Sequence, residues 1–184
     1  LDDLRSREKE IVSLVLELCA RVRSAVRPHL GMFSARELAG TAVGGDTTFG
    51  IDEVAEHTVE EFLQGRGEIA YYTEDRGLKV PAGARYLLII DPIDGTRPAA
   101  AGLESCCVSI AAAALDGRDA SSLTMGDVFL GVVSEIKEDA VFTALRGAGA
   151  VIEIAGERKE PSLSKTTRLS EIFWTAGYRG RAPY

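Results

Sequence analysis

Two aspartates three positions apart, Asp91 and Asp94, follow directly on an apolar run from Tyr86 to Ile90. Pro92 lies between them, and Gly95-Thr96 comes next. A buried strand that ends this way delivers two carboxylates to one point. Carboxylate and carbonyl oxygens, together with substrate phosphate, are the ligands that Mg²⁺ takes. Pro92 fixes its own φ and biases Asp91 toward an extended backbone. The strand is therefore expected to end by turning, which exposes the Ile93 carbonyl as a third oxygen. Gly95 lets the backbone come close to an anion, and Thr96 can orient a water or cap a helix. Ala99-Ala100-Ala101 favours helix, so residues 95–98 are its predicted N-terminus, where free N–H groups and the dipole attract phosphate. The chemistry implied is metal-assisted reaction at phosphate. A strand–turn–helix junction with Asp as a simple cap is the plainer reading of a lone D-x-x-D. The full D-P-I-D-G-T string behind a buried strand argues against it.

The elements that must hold these residues are legible in outline. Ile11, Leu14, Val15, Leu18, Val22, Ala25 and Val26 recur at helical spacing, which predicts a helix over about residues 3–27. Pro28 and Gly31 end it. Residues 31–50 are rich in Gly and Thr and read as a loop, with room for a short strand pair. A second helix is predicted over 51–63, with Ala55, Val59 and Phe62 inward and Glu53, Glu56, Glu60 and Glu61 outward. Residues 69–73 read as a short strand and Glu74-Asp75-Arg76-Gly77 as the turn after it. Residues 107–114 are apolar throughout, as in a strand buried on both faces. Residues 127–136 and 140–145 form a predicted hairpin around Lys137-Glu138-Asp139. Further strands are expected at 147–154 and 172–176. Two helices followed mostly by strands predict an α+β fold, helices layered on a largely antiparallel sheet.

Composition narrows the classes. The 184 residues carry a net charge of −7, with 46% hydrophobic and 27% charged residues, which suits a globular domain. No Lys/Arg block marks a nucleic-acid footprint. An acidic protein that takes an anionic substrate needs a local positive charge, and bound divalent cations supply one. Three cysteines, Cys19, Cys106 and Cys107, are too few for a disulfide framework and point to a reducing, cytoplasmic setting. No apolar stretch reaches the roughly 18–20 residues that span a bilayer. No signal peptide is read in the first ten residues, which carry seven charges. The sequence begins at Leu1, inside a helical pattern, and ends at Arg181-Ala182-Pro183-Tyr184, so a fragment is expected.

The string Asp91-Pro92-Ile93-Asp94-Gly95-Thr96, with Val108-Ser109-Ile110-Ala111 a dozen residues later, resembles the inositol monophosphatase family. That family belongs to the Mg²⁺-dependent, lithium-sensitive phosphatases, with the fructose-1,6-bisphosphatases and 3′-phosphoadenosine phosphatases. Residues 45–52 (G-D-T-T-F-G-I-D) resemble its D-x-V-T-x-x-D segment, and Tyr72-Thr73-Glu74-Asp75 its G-E-E turn. Gly131-Val132-Val133 and residues 146–150 (R-G-A-G-A) resemble two later strands. The resemblance implies a sugar-phosphatase-like α/β/α/β/α sandwich, of which residues 1–184 would be the amino-terminal subdomain without the carboxyl-terminal half. It implies two or three Mg²⁺ ions. Glu74, Asp91 and the Ile93 carbonyl would hold the first, and Asp91 and Asp94 the second. Asp52 would hydrogen-bond Thr96, and Thr96 with Glu74 would orient a metal-activated water for in-line attack. The Gly95 and Thr96 N–H groups would bind phosphate. A small phosphorylated substrate and a homodimer follow from the same resemblance, with no nucleic-acid or membrane partner.

Each residue also has a plainer reading. Glu74-Asp75 can be a solvated acidic turn, Asp52 a helix N-terminal acid, and Asp46 a turn former. His29 and His57 lack metal spacing and receive no catalytic role. Cys106-Cys107 and Trp174 read as core. Three departures from the family stand out. Asp75 replaces a Glu, and its shorter arm could weaken an outer metal or shift a water contact. Arg97-Pro98-Ala99 replaces the Asn and aromatic that usually follow D-G-T. Arg97 could reach a second phosphate or carboxylate of the substrate. The W-D-x-A-A-like segment, which carries a further metal ligand, is absent. The expectation is a phosphomonoesterase for inositol 1-phosphate, then fructose 1,6-bisphosphate, then a 3′-phosphoadenosine nucleotide. A degenerate module that binds metal or phosphate without catalysis is the competing expectation.

Overall fold

The computed structural model describes residues 2–171 apart from Gly44 and Asp46, with side chains described from Glu8 onward. The strand expected at 172–176, Trp174 and Asp46 lie outside the described residues.

Helix α1 spans Asp2–Val26. Its apolar stripe (Ile11, Val15, Leu18, Cys19, Val22, Val26) is buried, as residues three and four apart on one helical face must be. Helix α2 spans Gly50–Leu63 and packs beside α1. Before it, β1 (Leu38–Thr41) and β2 (Thr47–Phe49) make a two-stranded antiparallel hairpin, the strand pair foreseen in the Gly/Thr-rich segment.

The remaining strands are β3 (Ile69–Thr73), β4 (Gly77–Lys79), β5 (Tyr86–Asp94), β6 (Cys107–Ala114), β7 (Val128–Glu135), β8 (Val141–Leu145), β9 (Gly149–Ile154) and β10 (Glu157–Lys159). They form one eight-stranded sheet in the order β10-β9-β8-β7-β6-β5-β3-β4. Only β3 and β5 run parallel within it, and every other neighbouring pair is antiparallel. The α+β class and the largely antiparallel sheet stand as expected. The three-residue strands β4 and β10 were not foreseen, because segments that short carry no readable period.

Both helices lie on one face of the sheet. Leu88 and Ile90 of β5, Val108, Ile110 and Ala112 of β6, and Leu130 and Val132 of β7 alternate into that core. Each large aliphatic side chain so buried contributes about 1.5–3 kcal/mol. Two expectations need correction here. Strand β6 is buried on alternate positions, not on both faces; on the opposite face of the sheet Ile89 of β5 and Val133 of β7 are more than a third exposed. An all-apolar sequence cannot tell the covered face from the other. In α2, Glu56 points inward with 2% of its surface exposed, against the expectation that it faces solvent, and Phe62 is only partly buried.

Candidate active site

Strand β5 does not stop at Ile90. It runs on through Pro92 to Asp94, with an irregular register against β6 between Asp91 and Asp94. Bulges are where a strand tolerates proline, because the missing N–H falls where the ladder is already broken. The bulge also turns successive groups toward one cleft: Asp91, Ile93, Asp94, Gly95 and Thr96 all line it. Asp91 accepts a hydrogen bond from its neighbour, Ile93 N–H to Asp91 Oδ1 at 3.2 Å, an Asx-type turn that holds the carboxylate.

Gly95 is the pivot. Its φ is +93°, and a Cβ there would lie 2.4 Å from the Ser105 carbonyl oxygen. No other residue fits. Helix α3 follows over Thr96–Ala101. At six residues it is one and a half turns, so any anion it attracts is drawn by the first N–H groups and not by a long dipole.

Helix α2 brings the second group of residues. Asp52 sits in its first turn and accepts from the Phe49 N–H at 2.8 Å, which caps the helix. Its other oxygen accepts from Thr96 Oγ1 at 2.9 Å. The Thr96 hydroxyl lies 3.2 Å from the Ile93 carbonyl as well; it has one proton, so it can give that proton to one of the two at a time. Asp52 thus does both things weighed for it: it caps α2 and grips Thr96 across 44 residues of sequence.

The third group comes from the turn after β3. Glu74 and Asp75 line the same cleft. Glu74 is exposed, whereas Asp75 accepts from Thr48 Oγ1 at 3.2 Å. The cleft holds about 560 Å³ and is lined by Asp52, Glu56, Glu74, Asp75, Asp91 and Asp94 on one side of the charge balance and by Arg97 on the other. That volume suits a small organic ligand. Arg97 is exposed at the edge of the site.

The acids feel one another. Burial raises the Asp91 pKa from 3.8 to about 6, with Asp94, Glu74 and Asp52 adding repulsion. Asp52 is likewise pushed up to about 6, by burial first and by Asp75 and Glu74 after it, against its bonds from Phe49 and Thr96. Glu56 rises to about 7, chiefly through burial. The donor chemistry fits a divalent cation: hard oxygens only, and mutual repulsion that a positive charge would relieve. Among the described residues, no three His, Cys, Asp or Glu side chains already stand as a closed ligand group. An ion held here would draw further oxygens from the Ile93 carbonyl, water and substrate phosphate, as Mg²⁺ does.

Cys107 corrects another expectation. Cys106 is core, but Cys107 is only half-buried, and its Sγ lies 3.9 Å from Asp94 Oδ2. Burial and the nearby aspartates push its thiol up to about 12, so it stays protonated and inert as a nucleophile. Sequence reasoning also missed Thr48, Thr73 and Glu56 around the site. Glu56 had a readable signal, since it is one helical turn from Asp52 and shares its face.

Comparison with known proteins bears on the family and the fold. The family model described as the inositol monophosphatase family matches residues 8–183. A bifunctional NADP phosphatase/NAD kinase of Methanocaldococcus jannaschii is 26% identical over 164 residues, 79% of this chain and 29% of that protein. A fructose-1,6-bisphosphatase/inositol-1-monophosphatase of Thermococcus kodakarensis is 26% identical over 164 residues, 89% of this chain and 59% of that protein. Among solved structures, the extragenic suppressor protein SuhB of Bartonella henselae superposes with a TM-score of 0.62 at 21% identity, covering 78% of this chain and 52% of that one. The chain thus spans about half the length of the solved structures it matches and less than two thirds of these relatives. With the family model matched along nearly all of its length, and with the fold shared, the chain belongs to the inositol monophosphatase family.

Proposed function

We propose that the protein is a Mg²⁺-dependent phosphomonoesterase that hydrolyses a small sugar or inositol phosphate by in-line attack of water. The observation that carries this reading is the Asp52–Thr96 contact at 2.9 Å on the rim of a cleft shared with Glu74, Asp91, Ile93 and Asp94. A hydroxyl held by a buried carboxylate beside a cluster of hard oxygens is an arrangement for water and phosphate, not for packing.

Glu74, Asp91, Asp94 and the Ile93 carbonyl would hold Mg²⁺, in two or three ions. The metal would supply charge neutralisation at phosphate and an acidified attacking water. The chain's own groups do the rest. Asp52 fixes the Thr96 hydroxyl, so that its lone pairs face the cleft and orient the water. Glu74, exposed at the cleft edge, would orient that water with Thr96 and accept its proton, a transfer of the kind worth about 10²–10⁴-fold in rate. The Gly95 and Thr96 N–H groups would receive the phosphate oxygens, and Arg97 would meet a second anionic group on a substrate that carries one, such as fructose 1,6-bisphosphate.

Inositol 1-phosphate is the first substrate to test and fructose 1,6-bisphosphate the second. A 3′-phosphoadenosine nucleotide is the alternative, and NADP joins the panel because a relative carries NADP phosphatase in its name. A cytoplasmic homodimer completes the reading. The test is phosphate release from these substrates by the full-length gene product, with Mg²⁺ and with EDTA, beside Asp91→Asn. Release that requires Mg²⁺ and disappears in Asp91→Asn is the expected result. Mg²⁺ binding without release from any substrate would favour the non-catalytic binding module.

A further inference from the structure

Glu56 is the buried acid that the mechanism above leaves without a task. It is 2% exposed, yet it borders the acidic cleft. Its Oε2 accepts from Thr73 Oγ1 at 3.0 Å. Its Oε1 has no hydrogen-bond partner among the described residues. Burying a carboxyl group with one oxygen unpaired is unfavourable, so the fold keeps it against a cost.

Thr73 is the last residue of β3 and immediately precedes Glu74. It is fully buried. Its hydroxyl gives its proton to Glu56 and accepts the Arg76 N–H at 3.2 Å. That second bond closes the turn of Thr73 to Arg76, which carries Glu74 and Asp75. The far end of the turn is tied to the same helix: the Arg76 guanidinium binds Glu53 at 2.9 Å and pairs with Glu60, and its Nε stands 3.8 Å from Glu56 Oε2. One helical turn before Glu56, Asp52 holds Thr96 at 2.9 Å. Residues four apart share a helix face. Helix α2 therefore grips both halves of the cleft, the Glu74 turn through Glu56 and the Asp91–Thr96 segment through Asp52.

We propose that Glu56 is a positioning residue: through its hydrogen bond to Thr73 it sets where Glu74 stands relative to Asp91 and Asp94, and so sets the affinity of the cleft for a divalent cation. This rests on the reading of Glu74, Asp91 and Asp94 as metal ligands. Partners that orient a ligand in this way change metal affinity by about 10–100-fold when they are lost.

The test uses three mild substitutions, two of which separate reach from charge. Glu56→Asp keeps the acid but is a methylene too short for Thr73. Glu56→Gln loses the charge but keeps an oxygen at the same reach. Thr73→Val removes the hydroxyl at nearly constant shape. Each is made in the full-length protein, stripped of metal, and titrated with Mn²⁺ by electron paramagnetic resonance, with thermal unfolding in EDTA alongside. Positioning predicts that Glu56→Asp and Thr73→Val weaken Mn²⁺ binding about 10–100-fold, whereas Glu56→Gln stays within a few-fold of wild type. Variants that lower the melting temperature but bind Mn²⁺ like wild type would show a purely structural role and overturn the assignment. So would the reverse pattern, a Glu56→Gln variant that binds Mn²⁺ about 10–100-fold more weakly while Glu56→Asp binds like wild type, since the charge and not the reach to Thr73 would then matter. A wild-type protein that binds no Mn²⁺ would remove the metal-site reading and this assignment together, an outcome distinct from the other two.

Discussion

Asp91→Asn separates what the site does for function from what it does to stability. In the folded chain Asp91 is raised from 3.8 to about 6 by burial and by Asp94, Glu74 and Asp52. A tenfold change in proton affinity is about 1.4 kcal/mol, so keeping Asp91 ionised would cost the fold about 3 kcal/mol if nothing screened it. Asp91 is half-buried, and solvent screening brings this to about 1–2 kcal/mol. The sign follows from linkage. A carboxylate with a raised pKa favours the folded state fully while it is protonated in both states. That advantage is lost as pH rises from about 4 through about 6, and the cost is complete above that window. Asn carries no charge at any pH, and its Oδ1 can still accept from the Ile93 N–H.

Metal-free Asp91→Asn should therefore be more stable than wild type at pH 8, by about 2–8 °C in melting temperature for a chain of this size. The gap should narrow as pH falls toward 5. With Mg²⁺ the order should reverse. A ligand at a hundred times its dissociation constant stabilises the folded state by about 2.7 kcal/mol, and only the wild type keeps the carboxylate needed to bind it. The assay is thermal unfolding of both proteins across pH 5–8, in EDTA and in Mg²⁺, with phosphate release measured on the same samples. An Asn variant no more stable than wild type in EDTA at pH 8 would show that ionised Asp91 costs the fold nothing, and that the acids of the cleft are not in opposition. A variant stabilised by Mg²⁺ as much as wild type would refute Asp91 as a ligand.

Three further outcomes follow from the same geometry. Gly95→Ala must hold a positive φ and bring its Cβ against the Ser105 carbonyl; it should lose at least about 1–3 kcal/mol, seen in urea unfolding, with phosphate release falling in step as the Asp91–Thr96 segment shifts. Thr96→Val should lower kcat by about 100-fold or more with the fold intact, as loss of a proton-handling group does, and Thr96→Ser should recover most of it; equal rates for Val and Ser would remove the hydroxyl from the mechanism. Arg97→Ala should raise KM for fructose 1,6-bisphosphate by about 10-fold, the value of one charge-assisted hydrogen bond, while leaving KM for inositol 1-phosphate within twofold; a uniform change would make Arg97 a general surface charge.

The strand–acid–glycine string was legible because its chemistry is local. Asp91, Ile93, Asp94 and Gly95 are consecutive or nearly so, and one bulge in β5 turns all of them into the cleft. The bulge itself was not legible. Pro92 read as a stop, and only the broken register against β6 lets the strand pass through it. Helical periodicity sorts residues by type and so puts Glu56 toward solvent, while the partner that accounts for its burial, Thr73, lies 17 residues on. Asp52 was open between cap and catalytic partner for the same reason: Phe49 is three residues away, Thr96 is 44 away. Long-range partners of polar side chains are what a single sequence hides.

The departure at Asp75 shows how such a partner changes a reading. Taken alone, an acid shorter by a methylene than its family counterpart suggests a weakened outer ligand. In the structure its Oδ1 accepts from Thr48, which is 4% exposed, and its main-chain carbonyl accepts from the Val43 N–H at 3.1 Å. Both contacts tie the β1–β2 hairpin to the turn that carries Glu74. Thr48 belongs to β2, and β2 runs directly into α2, the helix that bears Asp52 and Glu56. The arm length at position 75 is thus matched to Thr48, so that hairpin, helix and turn close around the cleft as one connected unit. A longer acid would have to bend away from Thr48 or press on a buried hydroxyl. The substitution is consistent with its surroundings, and it gives no ground by itself for regarding the site as degenerate.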